Sequence, residues 1–149
     1  MTVRRSRTVG SPPDTVWAVV GDPHHLPRWW PRVERVESVD PDAWTCVMRT
    51  ERGKVVRADY RLVASDDGRR REWAQQLVGS PFERLLSEHR TAVSLAQSGG
   101  GTAVELTVSS KGRGTARLGA FMMRRAQARQ LDEALAGYDV HSLIAYDAE

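Results

Sequence analysis

The chain has 149 residues, of which 40% are hydrophobic and 28% are charged, the balance of a single globular domain rather than of a disordered chain. Its longest apolar run is residues 16–20, far short of the ~20 residues that span a membrane, and no apolar stretch follows the basic N-terminus as a secretory signal requires. The net charge of +3 comes from basic residues interleaved with 19 acids, so nucleic acid is not expected as a partner.

The first elements are predicted to be a strand and two short helices. Residues 2–9 are rich in β-branched side chains and favour a strand. Ser11 and Asp14 flank two prolines, a pattern that predicts a helix start in which the Ser11 hydroxyl caps free amides. Gly21 is expected to end this helix after about two turns. A second short turn, residues 22–31, carries two adjacent tryptophans.

The middle of the chain alternates polar and apolar residues between turn signals, which predicts further strands. Short connections such as Asp66-Asp67-Gly68 and Gly99-Gly100-Gly101 indicate that neighbouring strands are antiparallel. The predicted strands are residues 33–36, 44–52, 55–64, 70–78, 82–97 and 102–110.

From about residue 115 the apolar period becomes that of a helix. About 22 residues at ~1.5 Å each give roughly 33 Å, enough to cross and cover one face of the sheet, and Gly137 is the predicted end. Residues 140–149 are expected to be a loosely held tail of a single domain, residues 1–149. The apolar positions of the helix are Leu118, Phe121, Met122, Leu131, Leu135 and Tyr138.

Strand alternation assigns side chains to the two faces of the sheet. The charged side chains of Glu72, Glu88 and Arg90 are predicted on the outer face, and residues 69–71 are predicted to be a solvated hairpin end. The inner face, towards the long helix, is predicted to carry Trp44, Cys46, Met48, Tyr60, Trp73, Gln75, Leu77, Leu85, Ser87, His89, Thr91 and Val93.

Several short motifs occur in a fixed order along the chain: Pro13-Asp14-Thr15-Val16-Trp17, Gly21-Asp22-Pro23, Trp29-Trp30-Pro31, Gly100-Gly101-Thr102 and Leu118-Gly119. Together they make essentially the whole chain resemble the START-like, helix-grip superfamily, which includes the polyketide cyclase/dehydrase (SRPBCC) and pollen-allergen-like families. The resemblance implies an α+β fold, in which a curved seven-stranded antiparallel sheet wraps a long C-terminal helix and two short helices follow the first strand. It also implies a deep apolar cavity between sheet and helix that holds a lipid, sterol, hormone or polyketide.

In such a cavity the inner-face residues would be the ligand contacts. The alternative interpretation, that they are simply core, overlaps with this one because in the helix-grip fold the core lines the cavity. The predicted ligand-binding residues are Trp30, Trp44, Met48, Tyr60, Trp73, Gln75, His89, Phe121 and Met122. One of Trp29 and Trp30 is expected to be buried and the other nearer the cavity mouth.

Two inner-face residues are candidates for chemistry. A neutral imidazole at His89 can act as a general acid or base, and a phenol at Tyr60 can donate to an enolate or phenolate oxygen. Each also has an interpretation as a hydrogen-bonded core residue. Gln75 is expected to meet a ligand, a water or another polar side chain, because burying its amide without a partner costs about 1–3 kcal/mol.

No cofactor or metal site is predicted. His24 and His25 are adjacent, and no acid or cysteine near them has metal-ligand spacing. The single cysteine, Cys46, permits no internal disulfide, fits a reducing cytoplasm and is interpreted as a small buried hydrophobe. A cytoplasmic location is therefore expected.

Three functions follow from these observations. The leading hypothesis is a carrier or sensor that binds a hydrophobic small molecule, lipid-like or polyketide-like. The second is an aromatase/cyclase-type enzyme acting in the same cavity, so whether the chain is an enzyme stays open. The third is a protein-interaction module, co-chaperone-like or toxin-like, that docks through the basic face of the long helix. The sequence leaves the oligomeric state open between a monomer and a homodimer.

Overall fold

Seven strands form one antiparallel sheet over which helices pack, in the chain order that was predicted. The computed structural model describes residues 1–112 and 120–147, with side chains described for residues 1–112 and 123–137. The strands are β1 (Thr2–Val9), β2 (Val33–Glu37), β3 (Ala43–Arg49), β4 (Val55–Asp66), β5 (Arg70–Gln75), β6 (Leu86–Ser98) and β7 (Gly101–Gly112). The helices are α1 (Pro13–Val20), a 3₁₀ turn (Pro23–His25), α2 (Leu26–Trp29) and α3 (Ala120–Asp147).

The strands are ordered β1-β7-β6-β5-β4-β3-β2 across the sheet. Consecutive strands from β2 to β7 therefore form a meander, and β1 returns to pair with β7. β1 and β2 are the two edges. Helix α3 packs on β1 and β7, while α2 packs on both α3 and β2. This arrangement confirms the predicted helix-grip α+β fold.

The inner face of the sheet carries the core because alternate side chains of each strand point towards α3. On β7, Val104, Leu106 and Val108 are each at most 1% exposed. Val108 is paired with Val3 of β1, and the same face receives the fully buried Leu131 of α3. The C-terminal helix and the sheet thus share one hydrophobic core.

The outer face carries ion pairs within β6 and between β6 and its neighbouring strands. Arg90 Nε lies 2.8 Å from a Glu88 carboxylate oxygen, and Arg90 Nη1 lies 3.7 Å from one of Glu72. Glu88 also reaches Lys111 Nζ at 3.3 Å. These contacts confirm that Glu72, Glu88 and Arg90 lie on the outer face, where each pair contributes at most about 1 kcal/mol.

The start of α1 differs from the prediction. The Ser11 side chain is not the cap, because Pro12 occupies the N-cap position and no side-chain hydrogen bond caps the helix. The amides of Thr15 and Val16 donate to the Pro12 carbonyl, each at 3.1 Å. The Ser11 carbonyl instead accepts the Thr102 hydroxyl at 2.8 Å. Ser11 lies one residue too early in the chain to cap, and its backbone serves to attach α1 to β7.

The connection between β5 and β6 also differs. Both strands are shorter there than predicted, because residues 76–85 form turns and irregular chain. Leu85 is 61% exposed in this connection, and Ser87 is exposed where β6 shifts its register against β7. The expectation that these two side chains face inwards is wrong, since the turn and the bulge break the alternation on which it rested.

Helix α3 continues through Gly137 to Asp147, so the predicted end at Gly137 is wrong. The glycine serves close packing instead, because a Cβ atom there would lie 2.7 Å from the carbonyl oxygen of Trp29 in α2. The predicted helix start near residue 115 lies outside the described residues, as do the side chains of the predicted loose tail, residues 140–149. No helix in the described part of the chain is long and apolar enough to cross a membrane.

Candidate ligand-binding site

Three tryptophans from different elements meet on the inner face and form what we call the aromatic wall: Trp30, Trp44 and Trp73. The Trp73 ring lies edge-on to both others, with centroids 6.3 Å from Trp30 and 6.1 Å from Trp44. Tyr60 stacks on Trp44, with ring centroids 6.2 Å apart and an interplanar angle of 15°. Edge-to-face and offset pairs of this kind contribute about 0.5–1.5 kcal/mol each beyond burial.

The helical side of the wall comes from the segment after α1. Trp30 is the C-cap of α2, and its ring packs perpendicular to Trp29 with centroids 5.3 Å apart. Trp29 is 3% exposed and belongs to the core, whereas Trp30 is half-buried. Trp29 is therefore the buried one of the two, and the position of Trp30 near a cavity mouth stays a prediction.

Beside the wall, polar side chains cross the inner face in one line, the polar row: Tyr60, Gln75, His89 and Ser110. Tyr60 is paired with Gln75 between β4 and β5, and His89 with Ser110 between β6 and β7. Trp73 is paired with Thr91, and this register, continued by two residues, places Gln75 opposite His89. Side chains directly opposite each other in antiparallel strands have Cβ atoms about 4.5–5.5 Å apart.

One end of the polar row is closed by α3. The Gln127 side-chain amide donates to the Ser110 hydroxyl at 3.0 Å, and both residues are buried. Neither residue was identified from the sequence, although signals existed. Ser110 continues the alternation of Val104, Leu106 and Val108, and Gln127 lies one helical turn before the buried Leu131.

The middle of the polar row contains unsatisfied groups. Gln75 Nε2 and His89 Nδ1 are buried and have no hydrogen-bond partner among the described residues. A buried polar group without a partner costs about 1–3 kcal/mol. Two such atoms on facing positions of neighbouring strands are the arrangement expected where a bound molecule supplies the missing partners.

Burial keeps the titratable groups of this row uncharged. It raises the pKa of Tyr60, with a smaller contribution from Cys46, so the phenol remains a hydrogen-bond donor. It lowers the pKa of His89 below its ordinary value, so the imidazole is neutral at pH 7. Cys46 is 3% exposed and burial raises the pKa of its thiol to about 12, which confirms its interpretation as a buried hydrophobe.

Burial of a neutral His89 predicts that folding weakens on acidification. The unfolded chain takes up a proton near the ordinary pKa of 6.5, and the folded protein only at lower pH. Between those values the unfolded state binds more protons, so the free energy of unfolding falls as pH drops below about 6.5, by at most about 1.4 kcal/mol per pH unit for one group. Urea unfolding between pH 7.5 and 5.0 measures this slope, and His89→Gln is expected to reduce it. An identical slope in the variant would contradict the prediction.

Arg71 belongs to the site, although its sequence position beside a turn predicted a solvated side chain. It shares the inner face with Trp73 and Gln75, and its guanidinium lies over the Trp44 ring, 5.4 Å from the centroid. Burial lowers the pKa of Arg71, while charges such as that of Asp22 act in the opposite direction. The prediction of a solvated hairpin end is therefore wrong for Arg71. Its two-residue spacing from Trp73 was the available signal, and the adjacent turn concealed it.

A groove of about 280 Å³ lies between α3 and the β3–β4 turn. Glu51 of that turn spans it with ion pairs, 2.7 Å to Arg32 and 3.5 Å to Arg129 of α3. Gln127 lines the groove and also donates to Ser110. One side chain therefore connects the groove with the polar row.

The other predicted residues lie as follows. Met48 is half-buried on the inner face, paired with Val33 and Val56 towards the β3–β4 turn. The side chains of Phe121, Met122 and Tyr138 lie outside the described residues. His24 and His25 both face the Asp22 carboxylate, at 2.8 Å and 3.7 Å, and no group of three potential metal ligands occurs among the side chains that the structure describes.

Comparisons with known proteins identify the family and the fold of the chain. Residues 1–138 match the model of a family described as polyketide cyclase/dehydrase and lipid transport. A START superfamily protein from Mycobacterium smegmatis superposes with a TM-score of 0.80 at 10% identity over 97% of this chain and 98% of that one. The protein TTHA0849 from Thermus thermophilus gives 0.77 at 22% identity over 97% and 99%.

A two-domain protein gives a further structural match. The di-domain ARO/CYC StfQ of the steffimycin biosynthetic pathway has a TM-score of 0.78 at 16% identity, covering 98% of this chain and 51% of that one. At such identities the likeness shows the shared fold alone. None of the curated proteins matches the chain.

Proposed function

Since the chain belongs to the polyketide cyclase/dehydrase and lipid transport family, we propose that it binds a hydrophobic small molecule, lipid-like or polyketide-like, against the aromatic wall between sheet and α3. The observation that carries this proposal is a pair of buried atoms beside that wall, Gln75 Nε2 and His89 Nδ1, for which the described residues provide no hydrogen-bond partner. An apolar pocket with a few convergent polar groups is the usual form of a small-molecule site.

The side chains of the site indicate what kind of ligand it would bind. A flat or extended apolar body would pack on the Trp73 and Trp30 rings, because large rigid aromatic side chains provide contact area at low entropic cost. An oxygen atom of that body would accept a hydrogen bond from the Gln75 side-chain amide. A hydroxyl or carbonyl would form a hydrogen bond with His89 in the appropriate tautomer. The proposed ligand is thus largely apolar and carries one or two oxygen atoms at one position.

Ligand binding is tested by thermal shift and calorimetry with fatty acids, flavonoids and anthraquinones as probes. A ligand present at 100 times its Kd stabilises the folded protein by about 2.7 kcal/mol. If no apolar probe of any class stabilises the protein or gives heat, the proposal is wrong.

Gln75→Leu is expected to separate ligand binding from folding. The free protein should be as stable as wild type or more so, because the change removes a buried donor that has no described partner. The affinity for an oxygen-bearing probe should fall about five-fold, which corresponds to one lost hydrogen bond of about 1 kcal/mol. Calorimetry and urea unfolding of the same samples measure both quantities.

Gln76→Leu is the matched control. Gln76 is adjacent, exposed and outside β5, so the substitution should leave the affinity unchanged. Equal losses of affinity in both variants, or a less stable Gln75→Leu protein with unchanged affinity, would assign Gln75 to the fold rather than to a ligand.

An aromatase/cyclase-type enzyme is the second candidate. It is favoured by the position of Tyr60 and His89 in the same polar row, with a neutral imidazole whose Nδ1 is unpartnered among the described residues. Proton transfer by His89 and donation by Tyr60 to an enolising oxygen would be the steps assigned to these residues. Product analysis with a linear poly-β-ketone distinguishes the two candidates: a pure binding protein leaves the product distribution unchanged, and unchanged turnover by His89→Gln would remove its assigned role.

A further inference from the structure

The free edge of β1 presents backbone hydrogen-bonding groups. Among the described strands, β1 pairs with β7 alone and is an edge of the sheet. Met1 and Ser110 exchange both of their backbone bonds, each at 2.8 Å. In an antiparallel ladder such bonded pairs alternate with unbonded ones, so the odd residues of β1 face β7 and the even residues turn their N–H and C=O groups to the free edge. These even residues are Thr2, Arg4, Ser6 and Thr8.

Helix α3 forms a second wall beside this edge. Two adjoining hollows, of about 570 and 590 Å³, lie between β1 and α3 and share Arg5 as a lining residue. We call this the β1–α3 groove. An edge strand beside a helix is a geometry that accepts an added extended peptide, since the strand supplies backbone bonds and the helix a side wall.

The groove is strongly basic. Arg4, Arg124 and Arg125 line it, and none has an ion-pair partner among the described side chains. Arg5 is paired with Asp132, Nε to Oδ1 at 3.4 Å, and its guanidinium also donates to the Arg4 carbonyl at 2.8 Å. Arg5 therefore already covers one backbone acceptor of the free edge and would have to release it to an incoming strand. The groove as a whole attracts anions.

We propose that the β1–α3 groove binds an acidic, extended segment of a partner protein, which adds to β1 as an eighth strand. A second copy of this chain does not fit, because pairing β1 with itself would place its arginines against each other, a like-charge arrangement that keeps edge strands apart. A concave groove beside unpaired backbone also fits a narrow strand better than a flat bilayer. Acidic side chains on the added strand would meet Arg124 and Arg125.

The test uses a fluorescein-labelled ten-residue peptide of alternating glutamate and threonine as the probe, with the full chain. The Arg124→Glu/Arg125→Glu double variant is expected to weaken binding about tenfold or more, because it replaces two attractions by two repulsions. The Arg28→Glu/Arg61→Glu variant carries the same net charge on exposed positions away from the groove and should bind as wild type. Saturation with peptide should slow hydrogen exchange at the amides of Arg4, Ser6 and Thr8.

Several outcomes overturn the proposal. The first is that both double variants weaken peptide binding equally. The second is that a lysine–threonine peptide binds as tightly as the glutamate–threonine peptide. The third is that the peptide leaves hydrogen exchange at the three amides unchanged. Binding of phosphatidylglycerol vesicles by a protein that ignores the peptide would assign the groove to a membrane instead. Because the peptide site is separate from the aromatic wall, each of these results is independent of whether the protein binds a small molecule.

Discussion

Trp73→Ala is expected to lower the free energy of unfolding by about 3–5 kcal/mol, the range for removing a buried tryptophan. Trp73 is 5% exposed and is the one residue of the aromatic wall whose ring contacts both of the others. Its loss opens a cavity between α2 and β3 and separates the Trp30 ring from the sheet. Urea unfolding at pH 7.5 measures the effect, and the near-ultraviolet circular dichroism of the coupled tryptophans should weaken with it.

Trp73→Phe tests the same contact with a smaller change, so the prediction can still be checked if Trp73→Ala does not fold. A phenyl ring retains part of the contact with Trp30 and Trp44 and should cost about 1–2 kcal/mol, less than alanine. If alanine costs under 1 kcal/mol, or no more than phenylalanine, Trp73 is not the junction of the wall. The affinity for an apolar probe should fall in the same order, because the ligand is proposed to pack on this ring.

Gly101→Ala is expected to be nearly as disruptive, at about 3 kcal/mol, the upper end of the usual cost of overpacking. A Cβ atom on Gly101 would overlap the Val9 carbonyl oxygen at the end of β1. Both partners are backbone, so no side chain can move aside. The next residue, Thr102, pairs with Val9 of β1, and its hydroxyl donates a hydrogen bond to the Ser11 carbonyl just before α1. The substitution should therefore weaken the attachment of both β1 and α1.

Gly100→Ala is the control one residue away. A Cβ atom there meets nothing within 4 Å, and the backbone is not in the left-handed region, so the change should stay within about 0.5 kcal/mol. Thermal and urea unfolding of the two single variants make the comparison. Similar costs at both positions would show that the turn, and not the contact with Val9, demands glycine.

Much of the site follows from a period of two along the strands. Trp44, Tyr60, Trp73 and His89 reach one face because each strand alternates regularly over those residues, and the meander aligns them. Pairing register is a local property that side-chain alternation reports well. The strand residues of the aromatic wall and three members of the polar row, Tyr60, Gln75 and His89, were therefore predicted on one face from the sequence, whereas Ser110 was not.

What alternation could not predict depends on contacts between distant segments. Arg71 resembles a surface charge beside a turn, and its inward orientation is favoured by contacts from other segments, among them the ring face of Trp44 and the charge of Asp22. Gly137 resembles a helix end in the sequence. The reason for this glycine is the close approach of Trp29, which lies more than 100 residues earlier in the chain and is not visible in the local pattern. Leu85 was misplaced because it lies in a turn and Ser87 because it lies at a bulge, and neither feature is visible in the hydrophobic pattern.

The close packing of Trp29 on Gly137 gives α3 a mechanical fixed point. Main-chain atoms meet there with no side chain between them, so the helix cannot slide or separate at that position without breaking backbone contact. From Gly137 back to Ala120 is about 25 Å at ~1.5 Å per residue. A tilt of only ~5° about that pivot displaces the distant end of α3 by ~2 Å over that length. Widening of the space between α3 and the sheet is thus smallest beside α2, where Gly137 meets Trp29, and it grows along the helix towards Ala120.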